Sequence, residues 1–419
     1  MARSPLHSRR QFLQYTALGG AFTGFSLPVL AAHTAPDYRK ILPESMTRAG
    51  ADFSNYGQPS SYEKKVIRWI SANNDVPGNG VSWSPLHELQ GTITPNGLHF
   101  ERHHNGVPDI DPAQHELLID GLVERPLIFT VDALKRYPQQ SRISFIECGG
   151  NSNSSFRSKP IQTPAGYAHG LVSNAEWTGV PVKLLLEEAG LKPAARWAIA
   201  EAADGASLNV SIPVDKLLDD AMLALYQNGE RLRPENGYPL RLLLPGWEGI
   251  VNVKWLRQLR LQESPAMTRD ETAQYTDLMP DGSARQFSFE MAAKSLITSP
   301  SQGMTLPDTP GVYQLTGLAW SGRGKITRVE VSADGGESWV DADLQAPILD
   351  KAFTRFSLPW QWQGQYAVLQ SRATDDSGYV QPSREQFIAN RGRHGYYHFN
   401  AIISWEVYED GYISHFYPD

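Results

Sequence analysis

The chain has 419 residues, of which 41% are apolar and 20% charged, the balance of a folded soluble protein with length for two or three cores. Its formal charge of −7, from 38 basic and 45 acidic residues, argues against a nucleic-acid binder, which wants a basic surface. A single cysteine, Cys148, excludes an intrachain disulfide, a covalently attached c-type haem and a cysteine-ligated iron–sulfur cluster.

The chain opens on Ser8, Arg9, Arg10, Gln11, Phe12 and Leu13, followed by a short apolar run with several glycines and by Ala31 and Ala32 at a cleavage point. That order predicts a twin-arginine export signal over residues 1–32 and a periplasmic protein; the run is too short and interrupted for a membrane anchor. No other segment is long and apolar enough to span a bilayer. Residues 33–100 are rich in proline, glycine and asparagine and predict an extended cover on the first domain.

Residues 101–288 mix strand and short-helix patterns. Glu116 to Val123 alternates as a strand, and Thr130 opens a short helix that closes on Lys135 and Arg136. Ile143, Phe145 and Ile146 mark a short buried strand. An amphipathic helix of about nine residues stops at Gly190, and another starts near Val214. Asn228-Gly229 marks a hairpin turn, and a later strand is expected around Lys254 and Trp255. There is no strict βαβ repeat, no Gly-x-Gly-x-x-Gly and no P-loop, so the class is α+β without a nucleotide fold.

Over residues 289–390 helical periodicity disappears, and strands recur at Gly311–Leu318, Ile326–Ser332, Trp339–Leu344, Thr354–Leu358 and Tyr366–Thr374. This is the pattern of an all-β immunoglobulin-like sandwich without a disulfide, a kind of domain that often mediates dimerisation. Residues 391–419 form an aromatic tail, with Tyr396, Tyr397, Phe399, Trp405 and Tyr408, expected to pack on the body or on a partner.

Three features carry chemistry. Cys148 ends the buried strand just before Gly149 and Gly150, so its thiol is displayed where something bulky can approach; Asn151 and Ser152 follow as hydrogen-bonding groups. A lone cysteine is more often a small core residue. Arg102, His103 and His104 stand together before a turn, a cluster suited to an anion. A hydrolase with Cys148 as nucleophile and His103, His104 or His169 as base lacks any nucleophile motif. A secreted binding protein with Cys148 in its core is the reading from another class.

The stretches GLHFERHHNGVPDIDP, ECGGN, GYPLRLLLPGWEG, VKWL and GLAWSGRGKITRVEVSADGGESW, in this order, resemble the sulfite oxidase family of molybdenum enzymes. Within it they are most similar to the molybdenum subunits of bacterial sulfane (sulfite) dehydrogenases. The resemblance implies a molybdopterin-binding domain followed by the sandwich, a molybdenum–molybdopterin cofactor, no haem in this chain, and Cys148 as the protein's thiolate ligand to the metal. It further implies Arg102 at the substrate, His103 and His104 beside the pterin, Lys254 toward the pterin or its phosphate, and Arg355 as a second active-site arginine. Asn151 and Ser152 are expected to touch the cofactor.

Two positions depart from the animal-type pattern. Asn153 stands where those enzymes carry an arginine, and Leu225 stands at the active-site tyrosine, with Tyr226 one residue on as the candidate. Loss of the second arginine favours a larger or carrier-borne sulfur substrate over free sulfite. The implied activity is oxidation of sulfite or protein-bound sulfane sulfur, with electrons passed to a separate c-type, dihaem cytochrome subunit in a homodimer or heterotetramer. A reductase of the same fold, acting on methionine sulfoxide, is the alternative within redox chemistry.

Overall fold

The structure, a computed structural model, describes residues 43–418 apart from 48 and 308; the segment predicted as an export signal lies outside the described residues. A 3₁₀ turn at Glu44–Met46 is the regular element before Pro59, where the main compact unit begins. Among the described residues no helix is long and apolar enough to cross a membrane.

Within the segment expected to be a plain cover, β1 (Trp69–Ala72) and β2 (Gly80–Trp83) form a hairpin, and β3 (Glu101–His103) adds to it as a third antiparallel strand. The turn residues between them hid the short strands from composition. The pairing of Val81 with Arg102 anchors the basic cluster on a sheet rather than a loop.

The first fold runs β4 (Glu116–Gly121), β5 (Leu127–Thr130), α1 (Val131–Leu134), β6 (Gln140–Glu147), α2 (Ala165–His169), β7 (Val172–Pro181), α3 (Val182–Ala189), β8 (Trp197–Ala202) and β9 (Asn209–Pro213). It continues through α4 (Val214–Asp219), β10 (Met222–Gln227), β11 (Glu230–Arg231), β12 (Arg241–Leu243), β13 (Leu256–Gln262) and α5 (Arg269–Ala273). The Thr130 hydroxyl accepts from the Ala133 amide and so caps α1. α3 stops at Gly190, whose φ of +74° suits a residue without Cβ. One sheet has the order β5-β4-β13-β8-β9; the other has β11-β10-β7-β6, with β12 on β10. Leu117, Ile119, Leu185, Leu186, Leu242 and Leu259 fill the core between them.

A small hairpin, β14 (Asp277–Leu278) with β15 (Ala284–Arg285), leads into the second fold. This is a two-layer sandwich made from β16 (Lys294–Ser299), β17 (Gly311–Trp320), β18 (Ile326–Ser332), β19 (Val340–Asp341), β20 (Asp343–Leu344), β21 (Thr354–Trp362), β22 (Ala367–Asp375), α6 (Arg384–Arg391), β23 (Ser404–Val407) and β24 (Ile413–Phe416). One layer is β16-β17-β21-β20 and the other β19-β18-β22-β23-β24. Residues 391–419 therefore supply two strands of a layer, and Trp405, fully buried, is one of the core residues between the layers. The same core takes in Leu86, Phe145, Phe156 and Val172 of the first fold, so one continuous apolar interior crosses the junction.

That continuity predicts a single unfolding transition in urea for both folds. Trp405→Ala is expected to lower stability by about 3–5 kcal/mol and to shift that transition without splitting it. Two separated transitions by fluorescence and circular dichroism would contradict the shared core.

Candidate active site

Side chains along a strand alternate between its two faces, and in β6 this rule sorts two environments. Phe145 packs on the sandwich core, and Glu147 meets groups of the sandwich, while Ile146 and the next residue on its face, Cys148, line a cleft on the other side. The cleft encloses about 700 Å³ of empty space, part of it open to solvent. Cys148 is held by its own backbone: its amide donates to Leu171 O at 2.9 Å, and its carbonyl accepts from the Asn151 amide at 2.9 Å. Burial pushes its thiol up from the ordinary range, with Arg102 pulling in the opposite direction.

The loop around the thiol has no room for side chains. A Cβ on Gly149 would lie 2.6 Å from Glu248 Oε2, and one on Gly249 would lie 3.3 Å from the Cα of Cys148. Tyr396, in the segment after α6, covers Gly150 from outside, and the His398 amide donates to Gly149 O at 2.8 Å.

Arg102, His103 and His104 form one wall. The Arg102 Nη1 donates to the carbonyls of Gly80 and His103, leaving Nε and Nη2 without a partner among the described residues. Lys254 Nζ donates to His103 Nδ1 at 2.8 Å, so the other ring nitrogen carries the proton and donates to Glu101 Oε2 at 2.7 Å. This neutral tautomer fits the pKa of His103, lowered to about 3 by burial and then by Lys254 and Arg102. Burial likewise lowers His104 to about 4, and its Nε2 is buried without a partner.

Two further cations face the cleft. Arg241 donates to Asn236 O at 3.0 Å and Asn252 O at 2.9 Å, lies over the Trp177 ring, and is lowered to about 9 by burial. Lys254 donates to the carbonyls of Arg102 and Glu235 and is pushed well below the usual lysine range by burial first and Arg241 second. Among the described residues neither cation touches a carboxylate, and Arg241 Nε and Asn236 Nδ2 are buried without partners. Buried cations and orphaned donors converging on one cleft make a site for a large anionic ligand.

The structure thus brings Cys148, Arg102, His103, His104 and Lys254 to one cleft. It corrects four other expectations. Arg355 does not reach the cleft: its guanidinium is bound to Gly91 O at 2.7 Å, Leu89 O at 3.1 Å and Thr316 Oγ1 at 3.3 Å. Tyr226 lies under the Arg231 guanidinium, 4.9 Å from it, and packs on the first-fold core. Asn151 and Ser152 turn away from the cleft toward Glu147 and His169. Lys254 precedes β13 in a lone bridge to Arg241, because Trp255 takes a φ of +54° that no strand continues through.

Sequence reasoning missed Arg241 and Tyr275. Arg241 sits in a leucine-rich strand, where a cation reads as an outward face. Tyr275 lines the cleft with a φ of +50°, stacks on Tyr397 at 4.9 Å, and has its hydroxyl raised well above the usual range by burial and by Cys148. Nothing around it in the sequence forms a motif.

Two family models match: the oxidoreductase molybdopterin binding domain over residues 104–269 and the Mo-co oxidoreductase dimerisation domain over residues 285–405. The chain is 33% identical over 325 residues to the mitochondrial sulfite oxidase of Drosophila melanogaster, covering 71% of this chain and 56% of that protein. It is 30% identical over 318 residues to the sulfite oxidase of Gallus gallus, covering 69% of this chain and 68% of that one. Among solved structures, the sulfane dehydrogenase SoxCD from Paracoccus pantotrophus superposes with a TM-score of 0.89 at 43% identity, over 92% of this chain and all of that chain.

The unpaired cations predict an unusual stability response. In the ligand-free protein Lys254→Met relieves an unpaired buried charge but strips donors from Arg102 O, Glu235 O and His103 Nδ1. It is therefore expected to lower the unfolding free energy by less than Arg355→Met, which leaves the carbonyls of Leu89 and Gly91 without their donor. Inorganic phosphate is expected to raise the thermal midpoint of wild type more than that of Lys254→Met. A Lys254→Met protein destabilised more than Arg355→Met would contradict this account of the cleft.

Proposed function

The chain belongs to the sulfite oxidase family of molybdopterin-binding oxidoreductases, and from that membership we propose that it is a periplasmic molybdenum dehydrogenase for sulfur. Its substrate in this reading is sulfane sulfur borne on a carrier protein, with sulfite as the lesser alternative. Electrons pass to a separate c-type cytochrome subunit. The single observation that carries the proposal is the pairing, in one cleft, of the sole thiol with buried cations that touch no carboxylate among the described residues.

The residues present fit the cofactor. Cys148 offers the soft sulfur donor that such a metal prefers and would hold it, while Lys254, Arg241 and His104 would hold the pterin and its phosphate. When bound, molybdenum–molybdopterin supplies two-electron oxygen-atom transfer. The chain's own groups do the rest. Arg102 presents unpartnered guanidinium N–H groups to orient an anionic substrate. Tyr275, whose hydroxyl stays protonated, can donate to a substrate oxygen. His103, held neutral, fixes Lys254 against the wall.

The substrate preference follows from a shortage of positive charge. Arg355 is spent on backbone carbonyls and Asn153 offers no charge, so Arg102 is the guanidinium that acts on Cys148. One guanidinium holds a dianion such as sulfite less firmly than two. A carrier-bound persulfide bears less charge and brings its own protein contacts. The similarity to the sulfane dehydrogenase of Paracoccus pantotrophus supports the same preference. One cysteine precludes a haem attached to this chain through Cys-x-x-Cys-His, which supports an electron acceptor on another polypeptide. The twin-arginine pattern supports export, and the match to a dimerisation domain supports self-association through the sandwich.

Purified wild-type protein is expected to carry one molybdenum per chain by elemental analysis, and Cys148→Ser to lose it. With cytochrome c as acceptor, kcat/KM for a persulfide-loaded carrier protein is expected to exceed that for sulfite. A chain without molybdenum after expression with active cofactor synthesis overturns the proposal. A preference for sulfite overturns its substrate half.

A further inference from the structure

The face of β6 opposite the cleft carries a second arrangement. Glu147, the residue before Cys148, is buried at the seam between the two folds. Its Oε1 accepts from Asn151 Nδ2 at 2.9 Å and from Lys294 Nζ at 3.3 Å, and its Oε2 accepts from Trp320 Nε1 at 2.6 Å. Lys294 also donates to Ser152 Oγ at 2.7 Å. That hydroxyl is also hydrogen-bonded to His169 Nδ1 at 2.8 Å. The side chains of Lys294 and Glu147 are 1% and 2% exposed.

Lys294 opens β16 and Trp320 ends β17, so both belong to the sandwich and are paired with each other across that sheet. Glu147 and Ser152 belong to the first fold and bracket Cys148 in sequence. The sandwich therefore grips the chain on both sides of the thiol. Ser152 is held at a φ of +63°, a left-handed conformation that a non-glycine residue keeps only under constraint. A buried ion pair gives little net stability over a well-packed apolar alternative. What distinguishes this one is that each partner also binds a residue of the cysteine loop.

We propose that Lys294 and Trp320 are positioning residues for Cys148, and that the sandwich is a brace for the metal-binding thiol as well as a domain of association. The proposal rests on Cys148 being the metal ligand of the preceding section. Withdrawing the Lys294 ammonium leaves Glu147 without its counter-ion and the Ser152 hydroxyl with His169 as its remaining side-chain partner, so the loop gains alternative conformations and the thiol loses its fixed aim.

The test uses the full chain and three variants: Lys294→Met; Trp320→Phe, which removes the indole N–H with less change of volume; and Lys351→Met. The last breaks another ion pair between the folds, Lys351 Nζ to Asp220 Oδ2 at 2.7 Å, which makes no side-chain contact with the cysteine loop. Two readouts are taken: molybdenum retained per chain after gel filtration of the holoprotein, and the alkylation rate of Cys148 by iodoacetamide in the cofactor-free chain. Lys294→Met is expected to weaken metal retention about 10-fold or more, in the range seen when outer partners of a ligand are lost, and to speed alkylation by a comparable factor. Trp320→Phe is expected to move both in the same direction by less, and Lys294→Arg to restore part of the loss. Lys351→Met should lower the thermal midpoint and leave both readouts at the wild-type level.

Equal effects from Lys294→Met and Lys351→Met, or a lowered midpoint with unchanged retention and alkylation, would overturn the brace. If Lys294→Met fails to fold, Trp320→Phe decides between the same outcomes. If wild type holds no molybdenum, the proposed function fails on its own, and the alkylation rates still decide whether the sandwich restrains the thiol.

Discussion

A carboxylate taken out of water must be answered by donors, and Glu147 is answered from both halves of the chain. Asn151 reaches it from the cysteine loop, and Lys294 and Trp320 reach it from the sandwich. The strand rule that sends Glu147 to the seam sends Cys148 to the cleft. The two environments are therefore one decision: a residue inserted into β6 would exchange them, placing a charge in the ligand cleft and a thiol in the seam. The uninterrupted core from Phe145 to Trp320 and Trp405 holds that strand in register.

On the cleft side the electrostatics are incomplete by design of the fold. Arg241 and Lys254 are carried in by neighbouring elements, β12 and the bridge before β13, and each is satisfied by carbonyls that cannot neutralise it. Burial shifts both toward deprotonation, a direction that an arriving anion reverses. His103 links Lys254 to Glu101 through a neutral ring that relays position without adding charge. The arrangement selects for a ligand that is anionic at one end and soft-metal-bearing at the other.

Much of this was legible in the sequence, for identifiable reasons. The immunoglobulin-like strands follow regular turn signals, and Ile326–Ser332 was read with the bounds the structure has. Cys148, Arg102, His103 and His104 lie in short contiguous motifs, which sequence carries well. Arg355 misled because a cation on a strand looks alike whether it meets a ligand or, as here, the carbonyls of Leu89 and Gly91 more than 260 positions away. Arg241 and Tyr275 were invisible because their meaning lies in what the topology brings beside them. The tail packs on the body, as its aromatic content predicts, but that content does not reveal that it does so by closing a layer with β23 and β24.

That closure has a temporal side. The layer that backs β16 and β17 is completed by residues 404–416, so a ribosome must pass these residues before Lys294 and Trp320 have a finished platform. Readiness to receive a prosthetic group then waits on β23 and β24, which are made well after the cysteine loop.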